Sequence, residues 1–166
     1  MKIIQLTGTP CTGKTTLAKS LSKSLKDSKY INITSFIKKY KAYENYDKKK
    51  KCYIVDEKEL RRIFIDEIKE KKKQHVIVDS HILFLTKSKL DLVIVVNCEL
   101  KKLELRLNKR RYSKTKIKEN LECEIFDYCY YECLRKKYKK IIKIQNNTRQ
   151  DIKNNLRTIL QEISKL

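Results

Sequence analysis

The eight residues Gly8-Thr9-Pro10-Cys11-Thr12-Gly13-Lys14-Thr15 satisfy the pattern G-x-x-x-x-G-K-[ST], and each fixed residue has a chemical reason for its place. Glycine lets the backbone curl until successive N–H groups point inward at phosphate oxygens, and the positive end of a following helix adds to the pull on an anion. In that geometry Lys14 reaches the β- and γ-phosphates of a nucleoside triphosphate, and the Thr15 hydroxyl ligates Mg2+. The chain holds only two glycines and one proline, and all three stand inside this octapeptide. A sequence that does without both residue types elsewhere has kept them where a phosphate loop needs them.

Three further groups could work beside that loop. Val76-Ile77-Val78-Asp79 reads as a buried strand ending in a carboxylate, the arrangement by which an acid reaches the Mg2+ shell of a bound nucleotide. His81 follows at the same sheet edge, where it could orient a water or a phosphoryl acceptor; a surface histidine without a role is the alternative. Arg106, Arg110 and Arg111 form the densest arginine cluster in a chain with eight arginines against 33 lysines. Guanidinium forks clamp phosphate better than a point-charge ammonium, and the stretch Lys109-Arg110-Arg111-Tyr112-Ser113-Lys114 reads as a mobile lid between two helices.

Holding these groups in register requires a sheet whose strands all end at one edge. Hydrophobic periodicity predicts strands over 2–6, 30–33, 75–79, 92–96 and 141–144, and helices over 14–26, 35–40, 56–72, 99–109, 116–137 and 148–166. Asp56 followed by Glu59, and Thr148 followed by Asp151, carry helix-capping spacing. Strands alternating with helices predict an α/β fold of three layers, a five-stranded parallel sheet covered on both faces. The lysine runs at 48–51 and 69–73 read as solvated segments, the second closing a helix where cations suit the dipole.

Composition bounds the rest. A chain of 166 residues suits one hydrophobic core, so a single domain over 1–166 is expected. The longest purely aliphatic stretch, residues 92–96, is far too short to span a bilayer, and the chain is expected to be soluble, without signal peptide and without membrane contact. Cysteines at 11, 52, 98, 123, 129 and 133 form no C-x-x-C pair and read as reduced thiols of a cytoplasmic or nuclear protein. Cys129 and Cys133, four apart on a helix, face a core or, with two more ligands, a metal. The net charge of +21 attracts polyanions, ribosomal RNA among them, and equally fits a lysine-rich genome; charge alone does not decide.

Taken together, these residues resemble the adenylate kinase isoenzyme 6 family, a group of P-loop nucleotide kinases linked to maturation of the small ribosomal subunit. Leu6 to Pro10 with Gly13 to Leu17 is similar to its phosphate loop, and Val78-Asp79-Ser80-His81 to its Asp-x-His variant of the acidic strand. Tyr43, Tyr46-Asp47 and Asp56-Glu57 resemble its monophosphate-binding region. Arg106-Leu107, Arg110 and Tyr112 resemble its lid, and Asn120 with Cys123-Glu124-Ile125-Phe126 its most distinctive helix.

The resemblance implies a monophosphate-binding region over about 33–56, a lid over about 110–118, and reversible phosphoryl transfer from MgATP to AMP or another nucleoside monophosphate, with ATPase activity beside it. It implies Lys14, Asp79, His81 and Arg110 in catalysis, and Gly8, Cys11, Thr12, Gly13, Lys14, Thr15, Thr16, Arg110 and Asn147 around ATP. Lys38, Asp56 and Arg106 would hold the acceptor, and Thr15 and Asp79 the Mg2+, partly through water. It further implies a monomer with the small-subunit protein uS11 and rRNA as partners; an ATP-driven assembly factor with incidental kinase activity is the alternative. Cys11 and Arg111 stand where the family has glycine, and Lys38 where it has arginine, a substitution that changes a bidentate site.

Overall fold

The computed structural model describes residues 1–47, 52–70 and 72–166. The lysine run at 48–51, and residue 71 of the run at 69–73, lie outside the described residues.

Five parallel strands form the main sheet: β1 (Lys2–Thr7), β2 (Ser28–Asn32), β5 (His75–Asp79), β6 (Leu92–Asn97) and β7 (Ile141–Gln145). Their spatial order is β2-β5-β1-β6-β7. A separate antiparallel pair, β3 (Asn45–Asp47) and β4 (Cys52–Ile54), follows α2. The helices are α1 (Lys14–Ser24), α2 (Ile33–Tyr40), α3 (Glu57–Glu70), α4 (Leu100–Lys109), α5 (Lys114–Ile125), α6 (Tyr128–Arg135) and α7 (Arg149–Ser164).

The central strands are apolar on both faces because helices cover both, as parallel sheets require. Successive residues face opposite layers. Ile3, Val76, Val78, Val93 and Val95 join Phe36, Leu60, Phe64, Ile68 and Cys133 on the side of α2, α3 and α6. Ile4, Leu6, Ile77, Ile94 and Val96 join Leu17, Leu21, Ile159 and Ile163 on the side of α1 and α7. Phe64 and Leu17 are fully buried, and burying one such side chain contributes about 1.5–3 kcal/mol. A smaller cluster of Cys98, Leu103, Leu107 and Ile117 joins α4 to α5.

All five expected strands are present, each within two residues of its predicted ends. The helix predicted over 116–137 is instead two, α5 and α6. The break falls at Phe126-Asp127, where Asp127 takes φ 50, a left-handed conformation that Asp tolerates better than most residues. Its carboxylate accepts from Asn97 Nδ2 at 3.2 Å and from Lys143 Nζ at 2.5 Å, which fixes the turn. The bend lets α5 pack on α4 while α6 delivers Cys133 to the main core.

At the start of α7 the Thr148 hydroxyl accepts from Asp151 N, and Asp151 Oδ2 accepts from Thr148 N, a complete capping box. The Asp56 cap is half of one. Asp56 Oδ1 accepts from Lys58 N at 2.7 Å, whereas the Glu59 carboxylate pairs with Arg62. Among the described residues no helix is long and apolar enough to cross a membrane.

Candidate active site

Strand β1 is the centre of the sheet, with β5 on one side and β6 on the other, and the loop leaving its C-terminal end opens into the crevice between them. Gly8 takes φ 138 there, and a Cβ on it would stand 2.3 Å from the Val96 carbonyl oxygen of β6. Gly13 takes φ 96, and its Cβ would meet Asn146 Nδ2 at 2.2 Å. Gly8 is therefore demanded by close approach to backbone as well as by its conformation, and Gly13 by its conformation, with the Asn146 side chain packed against it. Gly13 caps α1 without a side-chain bond, and no acid occupies the first turn, so the helix presents free N–H groups of the kind that bind anions.

Lys14 is 9% exposed, and its Nζ donates to the carbonyls of Gly8 at 2.6 Å and Thr9 at 2.8 Å. Burial lowers the pKa of its ammonium, and the charge of Asp79 opposes that fall. Parallel pairing sets Asp79 beside Leu6 of β1 and Asn32 of β2. Its Oδ2 accepts from the Thr15 hydroxyl at 2.7 Å, Tyr30 OH at 2.9 Å and Asn32 Nδ2 at 2.9 Å. Desolvation, then the Asp79 charge, raises the pKa of the Tyr30 phenol, which keeps it a donor to this carboxylate.

One hydroxyl and one carboxylate side by side are hard oxygen ligands and suit Mg2+, which takes one or two protein ligands and fills its octahedron with water and phosphate. Among the described residues no group of three or more His, Cys, Asp and Glu forms a metal cage. Cys133 is fully buried in the core and Cys129 packs against it. Burial pushes these thiols up to about 12 and about 11; Cys133 is a core residue, and Cys129 is half-buried at its edge.

A cleft of 1160 Å³ runs along the loop. Cys11, Gly13, Lys14, Thr15, Thr16, Asp79, His81, Arg106, Arg110, Asn147 and Lys38 all line it. His81 stands at the rim, its pKa lowered by the surrounding protein and then by the Lys14 charge, so its neutral ring is favoured. Gly8 and Thr12 lie beneath the cleft. Thr12 is fully buried, and its hydroxyl donates to Thr9 O at 2.9 Å while its carbonyl accepts from Asn146 Nδ2 at 2.7 Å.

Two expectations for the acceptor side meet different surroundings. Asp56 does not line the cleft, its carboxylate being used to cap α3. Arg106 lines it, but on the phosphate-loop side: Nη2 donates to Asn147 O at 2.7 Å and Nη1 to Asn146 O at 3.0 Å. Longer contacts reach Cys11 O and Thr12 O. This guanidinium ties the Asn146-Asn147 turn to the loop. Asn147 is held again by Glu99 N donating to its Oδ1 at 2.7 Å.

Of the residues at 110–118, the first four form the turn between α4 and α5 and the other five open α5, with Arg110, Tyr112 and Lys116 lining the cleft. The same cleft is lined by Asn32, Thr34, Ile37 and Lys38 of the β2–α2 junction and by Tyr46 and Tyr53 of the β3–β4 pair. The Tyr53 ring lies 4.8 Å from Tyr43, 5.0 Å from Tyr46 and 5.8 Å below Lys38 Nζ. The antiparallel pair β3–β4 was not expected from the sequence, where its two three-residue strands leave no periodic signal.

The sequence matches a putative adenylate kinase of Methanocaldococcus jannaschii at 38% identity over 160 residues, covering 96% of this chain and 85% of that relative. It matches the adenylate kinase isoenzyme 6 homolog FAP7 of Saccharomyces cerevisiae at 35% over 160 residues, covering 95% of this chain and 79% of that one. The chain belongs to the adenylate kinase isoenzyme 6 family. An AAA domain family model matches residues 4–127 of it. Among solved structures, TT1252 from Thermus thermophilus superposes with a TM-score of 0.64 at 17% identity, over 97% of each chain. Shikimate kinase from Bacteroides thetaiotaomicron does so with a TM-score of 0.54 at 16% identity, over 99% of each. These two likenesses concern the fold. Two turns beside the cleft carry side chains in left-handed backbone, Cys11 at φ 72 and Arg111 at φ 55, conformations that glycine adopts without steric cost.

Proposed function

We propose that the chain transfers the γ-phosphoryl group of MgATP to a nucleoside monophosphate, with AMP as the first acceptor to test. The observation that carries this reading is one cleft with two differently furnished ends. By the order of the strands, Asn147, Thr148 and Arg149 follow β7 at one edge of the sheet and Asn32, Thr34 and Lys38 lie at the end of β2 at the other; the phosphate loop after β1 and Asp79 and His81 at the end of β5 lie between them, and Tyr46, Tyr53 and Arg110 line the same cleft. A phosphatase or simple nucleotide-binding module needs only the first end. A kinase needs both, so that two phosphate chains meet.

In this reading the loop amides and Lys14 neutralise charge on the β- and γ-phosphates, and Arg110 closes over the transferring group. Thr15 and Asp79 would hold Mg2+, which neutralises the phosphate oxygens and draws charge from the bond being broken. Arg106 keeps the Asn146-Asn147 turn against the loop, where it can border the nucleotide base. Lys38 supplies a cation for the acceptor phosphate, His81 stands ready to orient the acceptor, and the tyrosines of the hairpin offer ring faces to its base. No covalent intermediate is required, since positioning and electrostatics carry this reaction class. The region 33–56 then serves as the monophosphate site and 110–118 as the lid, with both on one domain.

Lys14→Ala removes the principal cation of the loop. We expect ADP formation from ATP plus AMP to fall by at least about 100-fold, with the circular dichroism spectrum unchanged. Turnover at the wild-type rate in a coupled assay overturns the assignment.

The +21 charge, together with a lysine at position 38 where a guanidinium would hold the acceptor phosphate better, favours a second reading, an ATP-driven assembly factor that binds a ribosomal protein such as uS11, or rRNA, with ATP hydrolysis as its working step. Phosphate release from ATP alone, stimulated by ribosomal components and exceeding AMP-dependent ADP formation, would support it.

A further inference from the structure

Among the described residues only two acids are buried, Asp79 and Glu124. The phosphoryl-transfer reading uses the first and leaves the second without a part. Glu124 sits in the last turn of α5, 8% exposed, on an element that contributes its other end to the cleft. Its two oxygens are fully engaged. Oε2 accepts from the Thr9 hydroxyl at 2.5 Å, across 115 positions of sequence. Oε1 accepts from Cys98 N at 2.7 Å and Asn97 Nδ2 at 3.0 Å, just past the end of β6.

Thr9 is the hub through which this carboxylate reaches the phosphate loop. Itself 2% exposed, it offers one carbonyl oxygen to both Lys14 Nζ at 2.8 Å and the Thr12 hydroxyl at 2.9 Å. The Thr12 carbonyl in turn holds Asn146. Fixing the Thr9 side chain therefore fixes one of the two carbonyls, beside that of Gly8, on which the Lys14 ammonium rests, while the negative charge of Glu124 acts on that ammonium through the loop.

We propose that Glu124 is the positioning residue of the phosphate loop: it staples Thr9 to the end of β6 and thereby sets where the Lys14 ammonium stands relative to a bound triphosphate. The proposal rests on nucleotide binding by the loop, as the phosphoryl-transfer reading does. A carboxylate is the side chain this place requires. Three donors converge on it, and an ionised carboxylate accepts from all three, whereas an amide of the same shape has one accepting oxygen and two N–H groups. Charge assistance makes the bond to Thr9 shorter and stronger than a neutral pair gives.

Four variants separate positioning from plain structural support. Glu124→Gln keeps the volume and the bonds to Cys98 and Asn97 but turns an N–H toward Thr9; Thr9→Val removes the hydroxyl and keeps the shape; Thr9→Ser keeps the hydroxyl. We expect Glu124→Gln and Thr9→Val each to lower kcat/KM for MgATP about tenfold, in keeping with the sensitivity of such reactions to small displacements. The KM for AMP should stay unchanged, and Thr9→Ser should restore the loss. The double variant Glu124→Gln/Thr9→Val should lose no more than the worse single one, since both act on the one contact between positions 9 and 124, the first by replacing a charge-assisted bond with a neutral, reversed one and the second by abolishing it.

Titration with a non-hydrolysable ATP analogue in the presence of Mg2+ reports the same coupling without turnover. A wild-type protein that binds the analogue but phosphorylates no monophosphate would overturn the kinase reading and leave the Glu124 proposal to be decided by that titration. Additive losses in the double variant overturn the proposal, as does a lowered melting temperature with wild-type analogue affinity and kinetics.

Discussion

Cys11 holds a backbone conformation for which a β-carbon is a burden. At φ 72 an L side chain meets its own carbonyl, at a cost of about 1–2 kcal/mol, while replacing it by glycine forfeits about 0.5–1 kcal/mol of chain entropy. The difference predicts that Cys11→Gly stabilises the protein by roughly 0.5 kcal/mol, read as a higher midpoint in urea. A lower midpoint would mean that the packing of the Cys11 side chain against Leu103, Leu107 and Ile117 outweighs the strain. At this scale the phosphate loop was legible because its motif is local: eight neighbouring residues state the whole geometry. The partners of Asp79 were not. Tyr30 meets it across 49 positions and Asn32 across 47, and only the pairing of β2 with β5 brings them together. Glu124 was visible as part of a family-like helix, but nothing nearby in sequence announces that it touches the loop.

Elements were read best where periodicity and chemistry agreed. The strand at 75–79 ended where predicted because its apolar run stops at the carboxylate that the site uses. α5 and α6 were merged because the apolar spacing continues through Asp127; what breaks the helix is the pair of bonds to Asn97 and Lys143, made by residues from two other strands. The β3–β4 hairpin is too short to show an alternation that a sequence can report. The cap of α7 illustrates the opposite case. Thr148 and Asp151 predicted a capping box, the box is present, and the same Asp151 carboxylate also accepts from Asn147 N at 2.8 Å. Thr148→Ala should therefore cost about 1 kcal/mol of stability in urea denaturation and also loosen the Asn146-Asn147 turn, raising the KM for ATP more than that for AMP. Equal effects on both nucleotides would detach the cap from the site.

The whole molecule is organised around β1, the strand whose pairings span the longest stretches of sequence in the main sheet. β1 lies between β5, which begins at residue 75, and β6, which begins at residue 92. Neither of its edges can be paired by anything near it in sequence, and contacts of such separation are slow because the loop between them must close first. Pulsed hydrogen exchange during refolding should accordingly find the amides of Ile3 to Thr7 protected no earlier than those of β5 and β6. Earlier protection would show that β1 has another partner on the way. The loop that grips phosphate hangs from this strand, so its curl has nothing to stand on until more than half the polypeptide has condensed around it. We expect nucleotide affinity to arrive only when both edges of β1 are paired, and a fluorescent ATP analogue added to the refolding protein would serve as a clock for that event.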